Sequence, residues 1–158
     1  MWTLTKRDRA HLEQLVPIAR PSFEAFIKEA NYWAERPEIQ AQYHTLFKVP
    51  FTIGITDSKR DIYEQAGKYS QGRVWDRDTK IWTKTGPTVT DTILSKHVQG
   101  LAIDVAPFLN GKAPVWPEAH SSPDALSFWL KLASIGEKFN LMPGARFKKP
   151  DFPHFELK

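Results

Sequence analysis

A mixed fold of helices and strands is predicted for this chain of 158 residues. Three observations predict it: apolar residues recur at helical spacing in several segments, β-branched residues alternate in others, and the length matches one domain of roughly 100 to 200 residues. Apolar residues make up 41% of the chain and charged residues 25%, so burial of apolar surface can offset the entropy cost of folding. We therefore expect residues 1–158 to form a single ordered domain.

Four helices are predicted along the chain. Thr5 is expected to cap the first helix, and the second begins near Ser22 with an apolar face toward the core. Ser58 is expected to cap the third helix, which ends at Gly72. The fourth begins at Ser122-Pro123-Asp124, because serine offers a capping oxygen and proline suits the first turn of a helix.

Three strands are predicted from alternating or β-branched segments, and the segments between them contain turn residues. Residues 74–94 are expected to form a long loop with one short hairpin around Ile81-Trp82, and long loops inside compact domains are often functional. Residues 108–117 are expected to be a connection rich in turns. The predicted strands are Phe51–Thr56, Leu101–Pro107 and Phe152–Leu157.

The composition excludes several kinds of site. The chain has no cysteine, which excludes disulfides, thiolate zinc sites, iron–sulfur clusters and a cysteine nucleophile, so any metal must be held by histidine and carboxylates. The net charge of +4 and the pI of about 9.3 favour acidic partners such as nucleic acid, anionic lipid or cell-wall polymer. The chain shows neither the apolar segment of a secretory signal nor a membrane span of about 18 apolar residues.

A carboxylate on the second strand is the first candidate for chemistry. By the period of two along a strand, Asp104 shares a face with Ala102 and Ala106, whereas the larger apolar residues point the other way. Burial of this carboxylate would be costly unless it is paired or binds a metal. His97 lies seven residues earlier, and a turn at Gly100 would bring it to the same face.

The second candidate group lies at the carboxyl end. On a strand, His154 and Glu156 share a face, and Pro153 favours an edge position or a bend that would let Asp151 approach the same cavity. Two neutral imidazoles and one carboxylate provide three ligands, which leaves one coordination position for water, as a catalytic zinc site requires.

Each of these residues also has a structural interpretation. A histidine near a strand is more often a surface or satisfied core residue than a ligand, and Asp104 taken alone is compatible with a buried salt bridge. His11, His44 and His120 lie in helical or loop contexts without carboxylate patterning, and we interpret them as structural.

Taken together, the motifs resemble a known family. Ser95-x-His97-x-x-Gly100-x-Ala102-x-Asp104, followed by Asp151-x-x-His154-Phe155-Glu156, resembles the zinc signature of the D,D-carboxypeptidase and L-alanyl-D-glutamate peptidase family, which includes VanY-type and VanX-type enzymes and many phage endolysins. The resemblance extends upstream and runs from about Phe51 to the end. The upstream elements are Ser58-Lys59-Arg60, Glu64-Gln65 and Tyr69-x-Gln71-Gly72-Arg73.

The resemblance implies an α+β fold of the hedgehog-like or D,D-peptidase-like kind, in which a small antiparallel sheet has helices packed on one side and zinc at its surface. It also implies one Zn²⁺ per chain, held by His97, Asp104 and His154, with Asp151 as the catalytic carboxylate. For Glu156 we favour orientation of His154 or structural pairing over the rival role of base.

The resemblance further implies an arginine that stabilises the oxyanion. Arg60 matches it, although Lys59 stands where the family often has an aromatic residue, and Arg73 is the competing candidate. Ser95 and Gln65 are expected to contact the substrate or to support the residues that do, and Arg73 is a further candidate for substrate binding.

The function implied by the resemblance is hydrolysis of peptidoglycan stem peptides. We expect a phage endolysin with L-alanyl-D-glutamate endopeptidase activity, made in the host cytoplasm without a signal peptide and acting in the periplasm or cell wall after release by a holin. The alternative within the family is a D-alanyl-D-alanine carboxypeptidase. The expected partner is the stem peptide, with no nucleic acid and no stable membrane insertion, and the expected state is a monomer.

Two interpretations from other classes remain to be compared. Two histidines and a carboxylate also form the facial triad of non-haem Fe(II) oxygenases, but those usually place the first histidine and the acid one residue apart, and the interval here is seven. A non-catalytic wall-binding module is the other, and the presence of Asp151 with all three candidate ligands argues against it.

Overall fold

The computed structural model describes residues 2–88, 90, 92 and 95–158. The predicted 74–94 loop runs across residues 89, 91, 93 and 94, which lie outside the described residues, as does residue 1 of the amino-terminal segment. The helices are α1 (Lys6–Gln14), α2 (Arg20–Ala34), α3 (Pro37–Gln42), α4 (His44–Phe47), α5 (Ile62–Ser70) and α6 (Pro123–Glu137). The strands are β1 (Phe51–Asp57), β2 (Arg73–Asp76), β3 (Ile81–Lys84), β4 (Ala102–Leu109), β5 (Ala113–Pro114), β6 (Leu141–Pro143) and β7 (His154–Leu157).

The main sheet is antiparallel and places its two faces in different environments. Its strand order is β1-β4-β7-β6, and the short β5 pairs with the far end of β4. On one face, Ile103, Val105 and Phe155 join the core with residues of α2 and α6, and the rings of Phe26 and Phe155 lie 4.4 Å apart. Asp104 and His154 alternate to the other face, so the predicted α+β fold is confirmed.

Two of the predicted helix caps are confirmed and one is wrong. Thr5 Oγ1 accepts a hydrogen bond from the Asp8 N–H at 3.1 Å, and Ser122 Oγ accepts one from the Ala125 N–H at 3.1 Å. Helix α5 is capped by Asp61, not by Ser58, since the Asp61 carboxylate accepts from the Glu64 N–H at 2.7 Å. Ser58 is 1% exposed, and its hydroxyl is engaged by distant residues.

Several short elements were not predicted. Helices α3 and α4 and strands β5 and β6 have two to six residues each, too few to show a clear period in the sequence. The hairpin expected around Ile81-Trp82 is confirmed, because β2 and β3 pair antiparallel and Trp75 lies opposite Trp82.

The outer edge of β1 is closed by helix side chains. Asn31 of α2 accepts a hydrogen bond from the Ile53 N–H at 2.8 Å and donates one to the Ile53 carbonyl at 2.7 Å. Gln40 of α3 does the same for Phe51, since its Oε1 accepts from the Phe51 N–H at 3.1 Å and its Nε2 donates to the Phe51 carbonyl at 3.0 Å. Asp8 of α1 accepts from the Ile55 N–H at 2.9 Å. These side chains replace the neighbouring strand that β1 lacks on this side.

No helix within the described part of the chain has the length and apolar character needed to cross a bilayer.

Candidate metal centre

Three polar residues lie side by side across the sheet. In the register of the strands, Asp57 of β1 is opposite Asp104 of β4, and Asp104 is opposite His154 of β7. Directly opposed residues of an antiparallel pair share a face. A register shift between Ile55 and Asp57 brings Asp57 into this row, so that the three side chains meet on the face away from the helical core.

The turn before β4 brings His97 to the same group. Gly100 adopts a φ of +68°, which favours glycine, and its N–H donates to the His97 carbonyl at 3.1 Å. Ser95 Oγ accepts from the His97 N–H at 3.2 Å. The turn predicted at Gly100 is therefore confirmed. It brings His97 to the same face as Asp104, although the two residues are an odd number of positions apart.

The ligand atoms of His97, Asp104 and His154 form a nearly equilateral triangle. His97 Nε2 and His154 Nδ1 each lie 3.2 Å from Asp104 Oδ1, and the two nitrogens lie 3.2 Å from each other. Zinc bound at about 2.0 to 2.1 Å in a tetrahedral site keeps its ligands about 3.3 Å apart. Among the described residues, these three form the group that could hold a metal ion, and their spacing fits zinc.

The remaining ring nitrogens are fixed by acceptors. His97 Nδ1 donates to the Ser58 carbonyl, and His154 Nε2 donates to Glu156 Oε2 at 3.1 Å. These hydrogen bonds place the protons on the outer nitrogens and direct the lone pairs of His97 Nε2 and His154 Nδ1 toward Asp104. An imidazole with an acceptor behind it is the usual form of a metal ligand, so the donor set fits a metal in protonation state as well as spacing.

The electrostatics of the three residues reflect their coupling. Burial by itself would raise the pKa of Asp104, but in the metal-free protein hydrogen bonds from His154 and His97, and attraction to these rings when they are protonated, outweigh it and hold that pKa well below its usual range. Burial would lower the pKa of His154, but its hydrogen bond and attraction to Asp104 prevail, and the pKa is raised above the ordinary value of 6.5. Protons therefore compete with a metal for His154 at a higher pH than they do for an ordinary histidine.

We expect metal affinity to fall steeply below neutral pH. Each imidazole that must lose a proton to bind metal contributes about tenfold per pH unit below its pKa, and the raised pKa of His154 moves the onset of this loss above pH 6.5. Competition against a chromophoric chelator between pH 5.5 and 8 measures the effect. A zinc affinity that stays the same across this pH range would contradict the assignment of His154 as a ligand.

Arg60 lies behind the ligand carboxylate. Its NH2 group donates to Asp104 Oδ2 at 3.1 Å, its Nε donates to Asp57 Oδ2 at 2.7 Å, and its NH1 donates to Gln65 Oε1 at 3.0 Å. Gln65 is fully buried and donates in turn to the Thr92 carbonyl at 2.7 Å. Arg60 thus offsets the negative charge of two opposed carboxylates, and Gln65 supports Arg60 from inside the protein.

The other residues singled out in the sequence lie in two places. Ser95 lines the cleft beside His97, and its hydroxyl shapes the turn before β4. The guanidinium of Arg73 stacks on the ring of Tyr69 at 4.0 Å, and its NH1 donates to the Tyr69 carbonyl at 2.6 Å. Arg73 is not among the described residues that line the cleft.

Asp151 stands at the mouth of the site. It lies in the turn before β7, where its N–H donates to the Gly144 carbonyl at 3.0 Å and its own carbonyl accepts from the His154 N–H at 3.1 Å. Partial loss of hydration in the cleft raises the pKa of its carboxyl, and the charge of Asp104 raises it further. The carboxylate of Asp151 is therefore more basic than an ordinary aspartate, which suits proton transfer.

The cleft extends to both sides of Asp104 and Asp151. We call one side the lysine lobe, of about 580 Å³, whose residues include Lys68, Lys96 and Lys149. The other side is the tryptophan lobe, of about 650 Å³, whose residues include Arg7, His11, Glu64, Phe108, Pro114 and Trp116. Asp104 and Asp151 line both lobes, so the candidate metal centre lies between them.

Gly144 fixes the position of the Asp151 turn. A Cβ atom at residue 144 would lie 2.1 Å from the Asp151 carbonyl oxygen and 3.0 Å from His154 Cβ. We expect Gly144→Ala to shift this turn, to destabilise the protein by about 1 to 3 kcal/mol, and to lower activity and zinc affinity at least about tenfold. Gly67→Ala is the matched control, because nothing lies within 4 Å of its added Cβ. Equal behaviour of the two variants in thermal unfolding and zinc titration would contradict this role.

The amino-terminal helix supports His97 through Ser58. His11 Nδ1 donates to Ser58 Oγ at 2.9 Å, and Ser58 Oγ donates to Gln14 Oε1 at 2.9 Å. The Ser58 carbonyl accepts from His97, so α1 fixes a residue that orients a candidate ligand. No sequence pattern connected these residues, because Gln14 and His11 lie 44 and 47 positions before Ser58.

We expect Ser58→Ala to weaken zinc binding as well as stability. Loss of the buried hydroxyl removes its hydrogen bonds with the half-buried His11 and the exposed Gln14, each worth about 0.5 to 1.5 kcal/mol, and it loosens the carbonyl that holds His97. Thermal unfolding and zinc titration measure the two effects, with the exposed Ser134→Ala as control. Unchanged zinc affinity in a destabilised Ser58→Ala protein would limit the role of α1 to stability.

Comparisons with known proteins agree with this site. Residues 88–157 match the sequence profile of a family described as D-alanyl-D-alanine carboxypeptidase, a segment that contains His97, Asp104, Asp151 and His154. The crystal structure of the L-Ala D-Glu endopeptidase ChiX of Serratia marcescens is similar in fold, with a TM-score of 0.60 and 17% identity, over 98% of this chain and 89% of that one. No curated protein sequence matches the chain significantly.

Proposed function

We propose that the chain is a VanY-like M15 peptidase that acts on peptidoglycan, as its match to the family profile over residues 88–157 supports, and that it is a zinc endopeptidase that hydrolyses the L-alanyl-D-glutamate bond of the stem peptide. The observation that carries the proposal is the presence of a cavity on each side of Asp104 and Asp151, which line both lobes. An endopeptidase requires room for substrate on both sides of the scissile bond, whereas an exopeptidase needs it mainly on one.

The proposed chemistry assigns a role to each residue. His97, Asp104 and His154 would hold zinc, which supplies Lewis acidity toward water and the scissile carbonyl. Asp151 takes a proton from the attacking water and returns it to the leaving amine, and its raised pKa favours both transfers. Arg60 lines the lysine lobe next to Asp104, where its positive charge stabilises the oxyanion that develops on the carbonyl oxygen.

A D-alanyl-D-alanine carboxypeptidase is the second candidate. The lysine lobe favours it, because Lys68, Lys96 and Lys149 provide positive charge for a terminal carboxylate. Mass spectrometry of digested sacculi separates the two activities. Release of peptides that begin with D-glutamate supports the endopeptidase, and loss of terminal D-alanine alone supports the carboxypeptidase and contradicts our first choice.

We further propose that the protein is a phage endolysin that acts as a monomer on the cell wall after release by a holin. Its basic charge of +4 suits an anionic envelope. The test is clearing of outer-membrane-permeabilised Gram-negative cells, with the zinc content of the protein measured before and after chelation. One zinc per chain and clearing that returns on zinc addition support the proposal, and zinc without clearing contradicts the lytic role.

A further inference from the structure

The tryptophan lobe presents a large aromatic side chain to solvent inside the cleft. Trp116 is 54% exposed, although burial of its ring would be favourable. Its segment is held on both sides, because the Val115 N–H donates to the Pro107 carbonyl at 3.0 Å and Trp129 Nε1 donates to the Pro117 carbonyl at 2.8 Å. The exposed ring is therefore attached to a fixed backbone, as a binding surface requires.

A cation stacked on an aromatic ring also lines the lobe. The guanidinium of Arg7 lies 3.5 Å above the ring of Phe108, and its NH2 group contacts Asp8 at 3.3 Å. Pro114 lines the same lobe. Trp116 and Pro114 thus provide apolar surfaces, and Arg7, which covers the buried ring of Phe108, provides hydrogen-bonding groups beside them, a common composition for a small-molecule site.

The two lobes differ in charge. The lysine lobe has three lysines, whereas the tryptophan lobe has the carboxylates of Asp57 and Glu64 on its side of Asp104 and Asp151. Carboxylates repel the acidic part of a stem peptide but accept hydrogen bonds from hydroxyl and amide groups. The acidic part of the substrate therefore suits the lysine lobe, and an uncharged part rich in hydroxyl groups suits the tryptophan lobe.

We propose that the tryptophan lobe binds the N-acetylated amino sugar to which the stem peptide is attached. The apolar C–H face of a sugar ring packs on an indole, and its hydroxyl and acetamido groups find acceptors and donors in Asp57, Glu64 and Arg7. This inference rests on the proposed function and makes the substrate a glycan-linked peptide instead of a free one.

The lobe also bears on which bond is cleaved. It begins at Asp104 and Asp151, so the sugar it holds lies close to the scissile bond. Each extended residue adds about 3.3 to 3.6 Å. A sugar one residue from the bond reaches this lobe, whereas the D-alanyl-D-alanine bond lies several residues farther along the stem peptide.

The test compares two substrates with the zinc-loaded protein. One is a stem peptide attached to its amino sugar, and the other is the same peptide without the sugar. We expect a KM at least about tenfold lower for the first substrate. Trp116→Ala removes this difference by raising the KM of the sugar-linked peptide far more than that of the sugar-free peptide, and Trp116→Phe retains part of it. Trp75→Ala, which changes another exposed tryptophan in the β2–β3 hairpin, leaves the difference intact.

Equal KM values for both substrates in the unaltered protein, or an equal effect of Trp116→Ala on both, would overturn the inference. A direct binding measurement separates it from the proposed function. Isothermal titration calorimetry measures binding of the sugar-linked peptide to the unaltered protein and to Trp116→Ala. This measurement does not depend on hydrolysis. If neither substrate is cleaved, the proposed function fails, while binding that is lost in Trp116→Ala still supports the sugar site and absent binding contradicts it.

Discussion

Asp104→Asn is expected to reduce zinc affinity by more than about 100-fold and to abolish hydrolysis. The amide has the size of the carboxylate but no charge, so the triangle formed with His97 and His154 loses its anionic ligand. Changes to residues outside the ligand set of metal sites already cost about 10 to 100-fold, and loss of a ligand costs more. The substitution also removes the negative charge with which Arg60 pairs. Metal content after dialysis and turnover of a stem peptide measure the two effects.

The matched control is Asp78→Asn in the exposed turn of the β2–β3 hairpin. It makes the same chemical change without contact to the candidate metal centre, and we expect normal zinc content and activity. An Asp104→Asn protein that keeps one zinc per chain would show that Asp104 is not a ligand. Circular dichroism confirms that each variant is folded.

Asp151→Asn is expected to lower kcat by about 100-fold to 10,000-fold while zinc content stays normal. This is the range for loss of a general acid or base, and asparagine cannot take the proton of the attacking water. The backbone of Asp151 is held by Gly144 and His154, so the amide leaves the turn in place. Single-turnover hydrolysis at saturating substrate, together with metal content, measures the effect.

Glu156→Gln tests whether Glu156 acts as the base or orients the candidate ligand His154. Because Glu156 accepts from His154 Nε2, we expect the loss to be mainly in zinc affinity, about 10 to 100-fold, and to be restored by excess zinc. If excess zinc fails to restore Glu156→Gln and Asp151→Asn retains activity, the proton-transfer role belongs to Glu156.

The sequence predicted the parts of the site that depend on local geometry. The period of two put Asp104 and His154 on the site faces of their strands, and the glycine at 100 indicated the turn that returns His97. These depend on neighbouring residues, whose backbone preferences the sequence records directly. The resemblance to the family was confirmed by the sequence profile over residues 88–157.

The parts that escaped prediction depend on distant pairings. Ser58 was expected to cap a helix because a serine before a helical pattern usually does so, but its hydroxyl is bound by His11 and Gln14. Asp57 joins the site only because β1 shifts register before it. Trp116 lies in a segment read as a connection, and only the folded chain places it in the cleft. The catalytic and binding roles of the individual residues stay predictions for the variants above.

The closed outer edge of β1 affects how the protein behaves at high concentration. A bare edge strand offers its peptide groups to any other extended chain, and this is how many sheets aggregate or exchange strands. In this fold, Asn31, Gln40 and Asp8 already engage those groups at Phe51, Ile53 and Ile55. A second copy would have to displace two paired side-chain amides and a carboxylate before it could add a strand there, so the three amino-terminal helices protect this edge against self-association.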